Sequence, residues 1–206
     1  KVYVEKEETF VDLIYPDMST DIWAGNDLIL TADGAAFLRM TETDAWRHIY
    51  KVDIDDGDKL LVTPFDYDVA SMRVPTKSNV YFMASPENST QRYLYQTDLK
   101  GRGEAKRLTP KPFEGVNNYQ VSPNGKYALH THQSVAEPIT ARMISLPDHK
   151  TIRTLVDNAA YKKKLSALEL PQVRFMKITT EDNIKIDARL ILPKDFDPGA
   201  KYPVLF

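Results

Sequence analysis

Two histidines separated by a single residue are the strongest candidates for chemistry in this sequence. His130 and His132 lie in the segment LHTHQ, and residues two apart in a β-strand project from the same face of a sheet. Two imidazoles on one face can bind zinc, but a zinc site has three or four protein ligands. A third ligand is not evident, so we favour a structural role and assign no metal ligand.

Other clustered polar residues receive simpler interpretations. Asp55, Asp56 and Asp58 in DIDDGDK match part of a calcium-binding loop, but the glutamate that closes an EF-hand loop is missing and no helices flank the segment. We therefore expect a β-hairpin turn there. His149, in the turn PDHK, is expected to be exposed, and the lysine run at 162–164 is expected to be the solvated face of a helix.

Composition excludes several classes of protein. The chain has no cysteine, which excludes disulfides, thiolate metal sites and a cysteine nucleophile. Its 27 basic and 29 acidic residues are scattered and give a net charge of −2, so we expect no binding surface for nucleic acid or an anionic membrane. No stretch approaches the roughly 20 apolar residues of a membrane helix. An apolar fraction of 42% over 206 residues allows one or two folded domains.

The elements that position these residues belong to an internal repeat. Segments that start at Leu28, Val74 and Tyr119 each contain four short β-like runs separated by turns. A four-stranded unit that recurs at this length is typical of a β-propeller blade. Matching positions are 46 residues apart for Tyr81 and Tyr127, 45 for Tyr50 and Tyr95, and 46 for Thr63 and Thr109.

The predicted fold is mainly β, with about three four-stranded propeller blades in residues 1–156. An antiparallel sandwich also uses short strands and turns, but it predicts no fixed period. The sequence around Phe10 resembles that around Phe65 and Phe113, so we expect the chain to begin in the last strand of an earlier blade. Residues 13–25 are then an insertion between blades.

The pattern changes after Val156. The segment 157–172 is predicted to be a linker helix with Tyr161, Leu165 and Leu168 on one stripe, capped by Asp157 or Asn158 and stopped by Pro171. The segments 173–179 and 184–192 are predicted to form an antiparallel hairpin, because apolar and polar residues alternate in the second. Residues 173–206 are the expected start of a second domain, with a third strand from Val204. We expect the whole chain to be part of a longer protein.

Three phrases in the sequence carry a resemblance to a known family. They are TETDAWRHIY, the blade-ending LVTPFDYDV, and LPKDFDPGAKYPVLF from Leu192. With these phrases the chain resembles the prolyl oligopeptidase family of serine peptidases, and within it the dipeptidyl peptidase IV branch, over nearly its whole length. Ala45 stands where glycine is common, and Ile14 and Tyr15 replace an aromatic-arginine pattern of some mammalian members. These departures, and the absence of cysteine, favour a bacterial relative.

The resemblance implies a catalytic serine, histidine and aspartate with an oxyanion tyrosine, all beyond Phe206, in an α/β-hydrolase domain that begins at 173. No serine of this chain lies in a Gly-x-Ser-x-Gly elbow. We therefore assign no catalytic residue. The family anchors the substrate amino group with two glutamates on an earlier insertion, so Glu7 and Glu8 are interpreted as a surface pair. His48 is expected to contribute to blade packing, with Trp46 and Tyr50 in core or inter-blade contacts.

The function implied by the resemblance is removal of N-terminal dipeptides after a penultimate proline or alanine, with the propeller restricting access. The expected partners are peptide substrates, with no nucleic acid, no membrane segment in this chain and no cofactor. A homodimer and a periplasmic or secreted location are further implications. Two alternatives remain open, namely a propeller that serves as a binding or scaffold module, and an acylaminoacyl peptidase or oligopeptidase branch of the same family.

Overall fold

The computed structural model describes residues 28–168 and 170–205, which contain fourteen strands and one α-helix. Three antiparallel four-stranded sheets and one hairpin account for the strands. The first sheet holds β1 (Leu28–Leu30), β2 (Ala36–Thr41), β3 (His48–Asp53) and β4 (Lys59–Leu61); the second holds β5 (Val69–Pro75), β6 (Asn79–Ala84), β7 (Tyr93–Asp98) and β8 (Lys106–Arg107); the third holds β9 (Val116–Val121), β10 (Tyr127–Gln133), β11 (Thr140–Ser145) and β12 (Thr151–Val156).

Each sheet is a meander in chain order, so the three sheets are blades of a partial β-propeller. Turn chemistry repeats with them. In the β1–β2 turn, Asp33 Oδ1 accepts the Thr31 hydroxyl at 2.7 Å and the Ala35 N–H at 3.1 Å. In the β9–β10 turn, Asn124 Oδ1 accepts the Ser122 hydroxyl at 2.8 Å and the Lys126 N–H at 3.0 Å. Short polar side chains thus replace backbone partners in the turns that the sequence predicted.

The repeat spacing is confirmed at two of the three predicted pairs. Tyr50 and Tyr95 are both the third residue of their strands, β3 and β7, and Thr63 and Thr109 both lie two residues after β4 and β8. The pairing of Tyr81 with Tyr127 is wrong, because Tyr81 is the third residue of β6 and Tyr127 is the first of β10.

The displacement comes from the preceding turn. A backbone N–H···O bond joins Thr76 to Asn79 in the second sheet, whereas the corresponding bond joins Ser122 to Tyr127 in the third. The later turn is therefore two residues longer. The residue of the third sheet that is equivalent to Tyr81 is Leu129, the third residue of β10.

The second sheet is buried on both faces because alternate residues of a strand point in opposite directions. Val80, Phe82 and Ala84 of β6 join one apolar core, and Tyr81 and Met83 join another. The first core, between the first and second sheets, contains Leu38, Met40, Ile49, Val62, Val69, Met72, Val80, Phe82, Ala84, Tyr93, Tyr95 and Leu99. The second core, between the second and third sheets, contains Tyr81, Met83, Leu94, Leu108, Tyr119, Ala128, Ile144 and Leu146.

The two threonines of the repeat each accept a backbone hydrogen bond near the start of the adjacent strand, β3 or β7. Thr63 Oγ1 accepts the Ile49 N–H at 2.8 Å, and Thr109 Oγ1 accepts the Leu94 N–H at 2.7 Å. Both threonines are buried. Each hydroxyl therefore satisfies a buried backbone donor at the same position of two blades.

Replacement of Thr109 by valine is expected to destabilise the second core by about 1 to 3 kcal/mol, because a buried N–H loses its acceptor. The measurement is the amide-exchange protection of Leu94 in the full-length product of the gene that encodes this chain. Thr63→Val is the matched control, and it should reduce protection at Ile49 instead. Unchanged protection of Leu94 in Thr109→Val would contradict the assigned role.

Residues 135–138, 158–168 and 170–205 form a separate compact unit. It contains α1 (Ala159–Ser166) and the antiparallel hairpin of β13 (Gln172–Thr179) and β14 (Lys185–Leu192). The predicted hairpin is confirmed, and its turn places Asn183 at a φ of 66°. The lysine face of α1 is exposed as expected, and Lys162 Nζ forms an ion pair with Glu137 Oε1 at 2.5 Å.

Three details of this unit differ from prediction. Leu168 lies beyond α1, which ends five residues before Pro171. Asn158 is the N-cap residue, but its side chain makes no capping bond because its backbone is left-handed, with a φ of 50°. Val204 and Leu205 belong to no strand, because no strand in the described part of the chain pairs with them, and the Leu205 side chain is fully exposed.

Several expectations fall outside the described residues. They concern the earlier-blade strand around Phe10, the insertion 13–25 with Ile14 and Tyr15, the pair Glu7 and Glu8, and Phe206. No helix in the described part of the chain is long and apolar enough to span a membrane.

Candidate functional site

His130, His132 and His149 meet between the second and third sheets, and we call them the histidine cluster. His130 and His132 lie on one face of β10, as predicted, and both are buried. The prediction that His149 is exposed is wrong, because only 7% of it is accessible. It lies in the turn after β11 with a φ of 55°, and its Nε2 lies 2.8 Å from the Tyr119 hydroxyl.

Aromatic rings surround the histidine cluster. Tyr119 stacks on His130, with centroids 4.5 Å apart and planes 8° apart. Phe113 meets the His130 ring edge-on at 5.1 Å, and the Arg142 guanidinium lies 4.6 Å from the Phe113 centroid. The close packing of a guanidinium against these rings makes the cluster unsuited to a metal cation.

Hydrogen bonds fix the imidazoles. His130 Nε2 lies 2.8 Å from Asn117 Oδ1, and His132 Nε2 lies 2.8 Å from the carbonyl oxygen of Glu114. Thr109 Oγ1 and the Tyr119 hydroxyl are 2.9 Å apart, so a polar chain runs from the end of the second sheet to His149. These contacts hold the rings as parts of an interface between blades.

Burial sets the charge of the cluster. It lowers the pKa of His130 to about 2, with smaller effects in the same direction from His149, Arg142 and His132. Burial also lowers the pKa of His149, and it raises the pKa of Tyr119. His130 is therefore neutral at pH 7. Within 28–168 and 170–205, no group of three histidine, aspartate or glutamate side chains is arranged to hold a metal ion.

His48 is buried at the start of β3 and has an acceptor at each ring nitrogen. Nδ1 lies 2.8 Å from Asp44 Oδ2, and Nε2 lies 2.7 Å from the Phe65 carbonyl oxygen. The Tyr50 hydroxyl donates to the same Asp44 oxygen at 2.8 Å. Burial raises the pKa of Asp44, but the hydrogen bonds from His48 and Tyr50 outweigh burial and hold that pKa below its ordinary value. With both nitrogens engaged, His48 cannot activate a nucleophile and acts in blade packing.

The loop before His48 explains two features of the sequence. Ala45 has a φ of 73°, a conformation that glycine adopts most easily, which accounts for the glycine expected there. The expectation that Trp46 is a core or inter-blade contact is wrong, because 39% of it is accessible. Trp46 follows Ala45 in the loop between β2 and β3 rather than in a strand.

The aspartate-rich segment is a hairpin turn between β3 and β4, as predicted. Asp53 Oδ1 accepts the Asp55 N–H and Asp56 Oδ1 accepts the Asp58 N–H, each at 2.9 Å. Gly57 has a φ of 81°. The carboxylates of Asp53 and Asp56 are thus engaged with the turn's own backbone.

An open groove of about 880 Å³ lies at the turn end of the first and second sheets. Its charged lining residues are Asp33, Lys51, Lys77, Asp98 and Lys100. Its apolar lining residues are Ala32 and Leu99, whereas small-molecule sites have predominantly apolar walls. We assign it no ligand.

A strand-to-helix turn is where a hydrolase would carry its nucleophile. In the described residues the chain passes directly from a strand to a helix between β12 and α1, and the residues there are Asp157 and Asn158. No serine occupies this turn. The packing roles of the four histidines rest on their hydrogen bonds and ring contacts.

Comparison with known proteins gives matches along the chain. Dipeptidyl peptidase 4 of Trichophyton rubrum is 28% identical over 215 residues, which cover 100% of this chain and 27% of that protein. The crystal structure of Porphyromonas gingivalis dipeptidyl peptidase 4 is 30% identical with a TM-score of 0.77, and the match covers 86% of this chain and 25% of that one. The chain thus spans about a quarter of the length of these relatives.

A more distant structure supports the fold alone. A putative dipeptidyl aminopeptidase IV from Bacteroides ovatus is 16% identical with a TM-score of 0.68, over 86% of this chain and 28% of that one. These relatives come from fungi and bacteria, so bacterial origin stays a prediction. The family model described as the dipeptidyl peptidase IV (DPP IV) N-terminal region matches residues 2–139. Because this match covers more than half of the chain, the chain belongs to the dipeptidyl peptidase IV family.

Proposed function

We propose that this chain is part of a serine peptidase that removes N-terminal dipeptides, X-Pro or X-Ala, from peptides. The observation that carries the proposal is the alignment of the whole chain, in order, with a dipeptidyl peptidase 4 at 28% identity. The structural match to the P. gingivalis dipeptidyl peptidase 4 supports it. In this proposal the gene product is a peptidase whose substrates are peptides, and it needs no cofactor.

The three blades have an architectural role in this proposal. Each blade contributes an apolar face to a shared core, and such continuous packing gives a wall that resists deformation. A propeller wall around a cavity would admit short or unfolded peptides and exclude folded proteins. Gating of access is thus proposed as the contribution of the partial propeller, residues 1–156.

The catalytic residues of the enzyme are proposed to lie outside the described residues. The hairpin β13–β14 is the proposed start of an α/β-hydrolase domain, whose serine, histidine and aspartate would perform acyl transfer with an oxyanion donor. A pair of glutamates elsewhere on the propeller would bind the substrate's free amino group. A homodimer and an extracytoplasmic location belong to the same proposal.

The test is hydrolysis of Gly-Pro and Ala-Pro anilides by the full-length gene product, compared with N-blocked versions of the same anilides. We expect cleavage of the free-amino substrates only, because an amino-anchoring carboxylate pair loses its partner when the amine is blocked. Prior treatment with a serine-directed phosphonate should abolish cleavage. The 206-residue chain alone is expected to release no chromophore.

Other outcomes would change the proposed function. Cleavage of blocked substrates would place the protein in an acylaminoacyl peptidase or oligopeptidase branch. Cleavage that survives the phosphonate would refute the serine mechanism. Absence of cleavage of any anilide would favour the scaffold alternative.

A further inference from the structure

The first interface lies between the first and second sheets, and the second interface lies between the second and third sheets. The two interfaces carry different side chains at equivalent positions. Phe65 and Phe113 precede β5 and β9 by four and three residues. Phe65 packs against the first core, and Phe113 packs against the His130 ring. Phe65 lies 6.4 Å from Phe82, and Phe113 lies 5.1 Å from His130, between ring centroids. Phe82 and His130 are each the fourth residue of the second strand of their blade.

Strand register extends this equivalence to a second pair. Phe82 is directly opposite Tyr95, and His130 is directly opposite Arg142. In the first interface, Phe65, Phe82 and Tyr95 make a stacked aromatic group. In the second interface the corresponding positions hold an aromatic ring, an imidazole and a guanidinium. Of these two interfaces, the second therefore has at this place a buried imidazole, a group that takes up a proton between pH 4 and 7 once it is hydrated.

We propose that the histidine cluster and Arg142 form an acid-sensitive contact between the second and third sheets. Proton uptake by the buried imidazoles loosens this contact, whereas the contact between the first and second sheets stays closed. The inference is independent of the peptidase activity proposed above. It concerns the blades themselves.

Charge crowding provides the physical reason. A protonated His130 would face the Arg142 guanidinium across β10 and β11 and the His149 ring at 4.9 Å between centroids. The Nδ1 atoms of His130 and His149 are buried without a hydrogen-bond partner, so each added proton would stand in a poorly solvated place. Opening of the interface hydrates both rings and relieves the cost.

Within residues 28–168 and 170–205, the other ionisable groups named around His130 do not offset that cost. The groups that face it from the packed elements are Tyr119 on β9, His132 on β10, Arg142 on β11 and His149 after β11, and the Arg107 and Arg73 side chains of the second sheet lie further along the interface. The flanking carboxylates are on exposed residues, Glu114 and Asp148. The cluster is thus dominated by cations and neutral rings.

The sign of the pH effect follows from linkage. The pKa of His130 is lower in the closed interface than its ordinary value of about 6.5, so the open form binds more protons below that pH. The contact is complete above about pH 6.5 and weakens as the pH falls. Below about pH 6.5, His130 favours opening by about tenfold per pH unit, which is about 100-fold at pH 4.5.

The test is amide hydrogen exchange of the full-length gene product at pH 7.5 and 4.5, expressed as protection factors. We expect β10 and β11 to lose protection by about 100-fold or more on acidification. Amides of β2 and β3 in the same sample should keep theirs. Equal losses in all these strands, or no loss in β10 and β11, would overturn the proposal.

Two variants remove the proton sites separately. His130→Phe installs the residue found at the equivalent place, Phe82, and His149→Asn retains a residue that tolerates a positive φ. Each should reduce the acid-induced loss in β10 and β11, by about 100-fold for His130→Phe. If His130→Phe fails to fold, His149→Asn carries the test.

His48→Asn is the matched control, since it removes a buried histidine from the first sheet. It should leave the acid response of β10 and β11 unchanged. An unchanged response in both His130→Phe and His149→Asn would assign the acid effect to other groups and refute the proposal.

Discussion

Replacement of Phe82 by alanine is expected to lower the free energy of opening of the first two blades by about 3 to 5 kcal/mol. Phe82 is fully buried and stacks between Phe65 and Tyr95, at centroid distances of 6.4 and 5.8 Å. Alanine would remove the ring that both neighbours contact and leave a cavity among close-packed side chains. The effect is large because backbone pairing on both edges of β6 prevents the strand from collapsing into the space.

The measurement is amide-exchange protection in β6 and β7 of the full-length gene product. Phe82→Leu is the matched variant, and it should cost less than about 1.5 kcal/mol because most of the apolar volume remains. Similar losses for the two variants would show that the cavity is not the cause. Protection that persists in Phe82→Ala would contradict the described core.

Replacement of Gly101 by alanine is expected to cost about 2 to 5 kcal/mol in the same opening free energy, because two penalties add. Gly101 has a φ of 64°, which costs a residue with a Cβ about 1 to 2 kcal/mol. A Cβ there would also overlap the carbonyl oxygen of Leu61, the last residue of β4. Backbone cannot move aside as a flexible side chain can, and such overpacking costs about 1 to 3 kcal/mol.

Gly103→Ala separates the two penalties. Gly103 also has a positive φ, 83°, but no atom lies within 4 Å of the position its Cβ would take. This control should lose only the conformational part, about 1 to 2 kcal/mol. The two variants are compared by amide exchange in β4 and β7 during thermal unfolding of the full-length gene product. Equal losses for both variants would mean that the turn after β7 does not pack on β4.

Local patterns in the sequence were sufficient to predict the repeated sheets and the hairpin. Turn residues such as Asp33 and Asn124 act on neighbouring backbone, and the alternation in 184–192 is a local pattern. Both can therefore be recognised in the sequence before the fold is known. The match of Thr63 with Thr109 followed from the same spacing. The match of Tyr81 with Tyr127 failed because a fixed period cannot reveal a turn lengthened by two residues.

Contacts between sheets could not be predicted in this way. His149 lies in a polar turn, and its burial depends on Tyr119, 30 residues earlier in the chain. Trp46 is the kind of residue that usually packs, but its loop holds it at the surface. The sequence signal that points to the histidine cluster is Phe113, because the segment around it is similar to the segment around Phe65.

Because β6 packs against a neighbouring sheet on each face, one blade of this protein cannot simply replace another. Successive residues of β6 serve different neighbours, Phe82 the first sheet and Tyr81 the third. A copy of the third blade inserted in its place would present His130 where the first sheet requires a phenylalanine. The blades have therefore lost interchangeability, and gene rearrangements that duplicate, delete or shuffle one of them would break two interfaces at once.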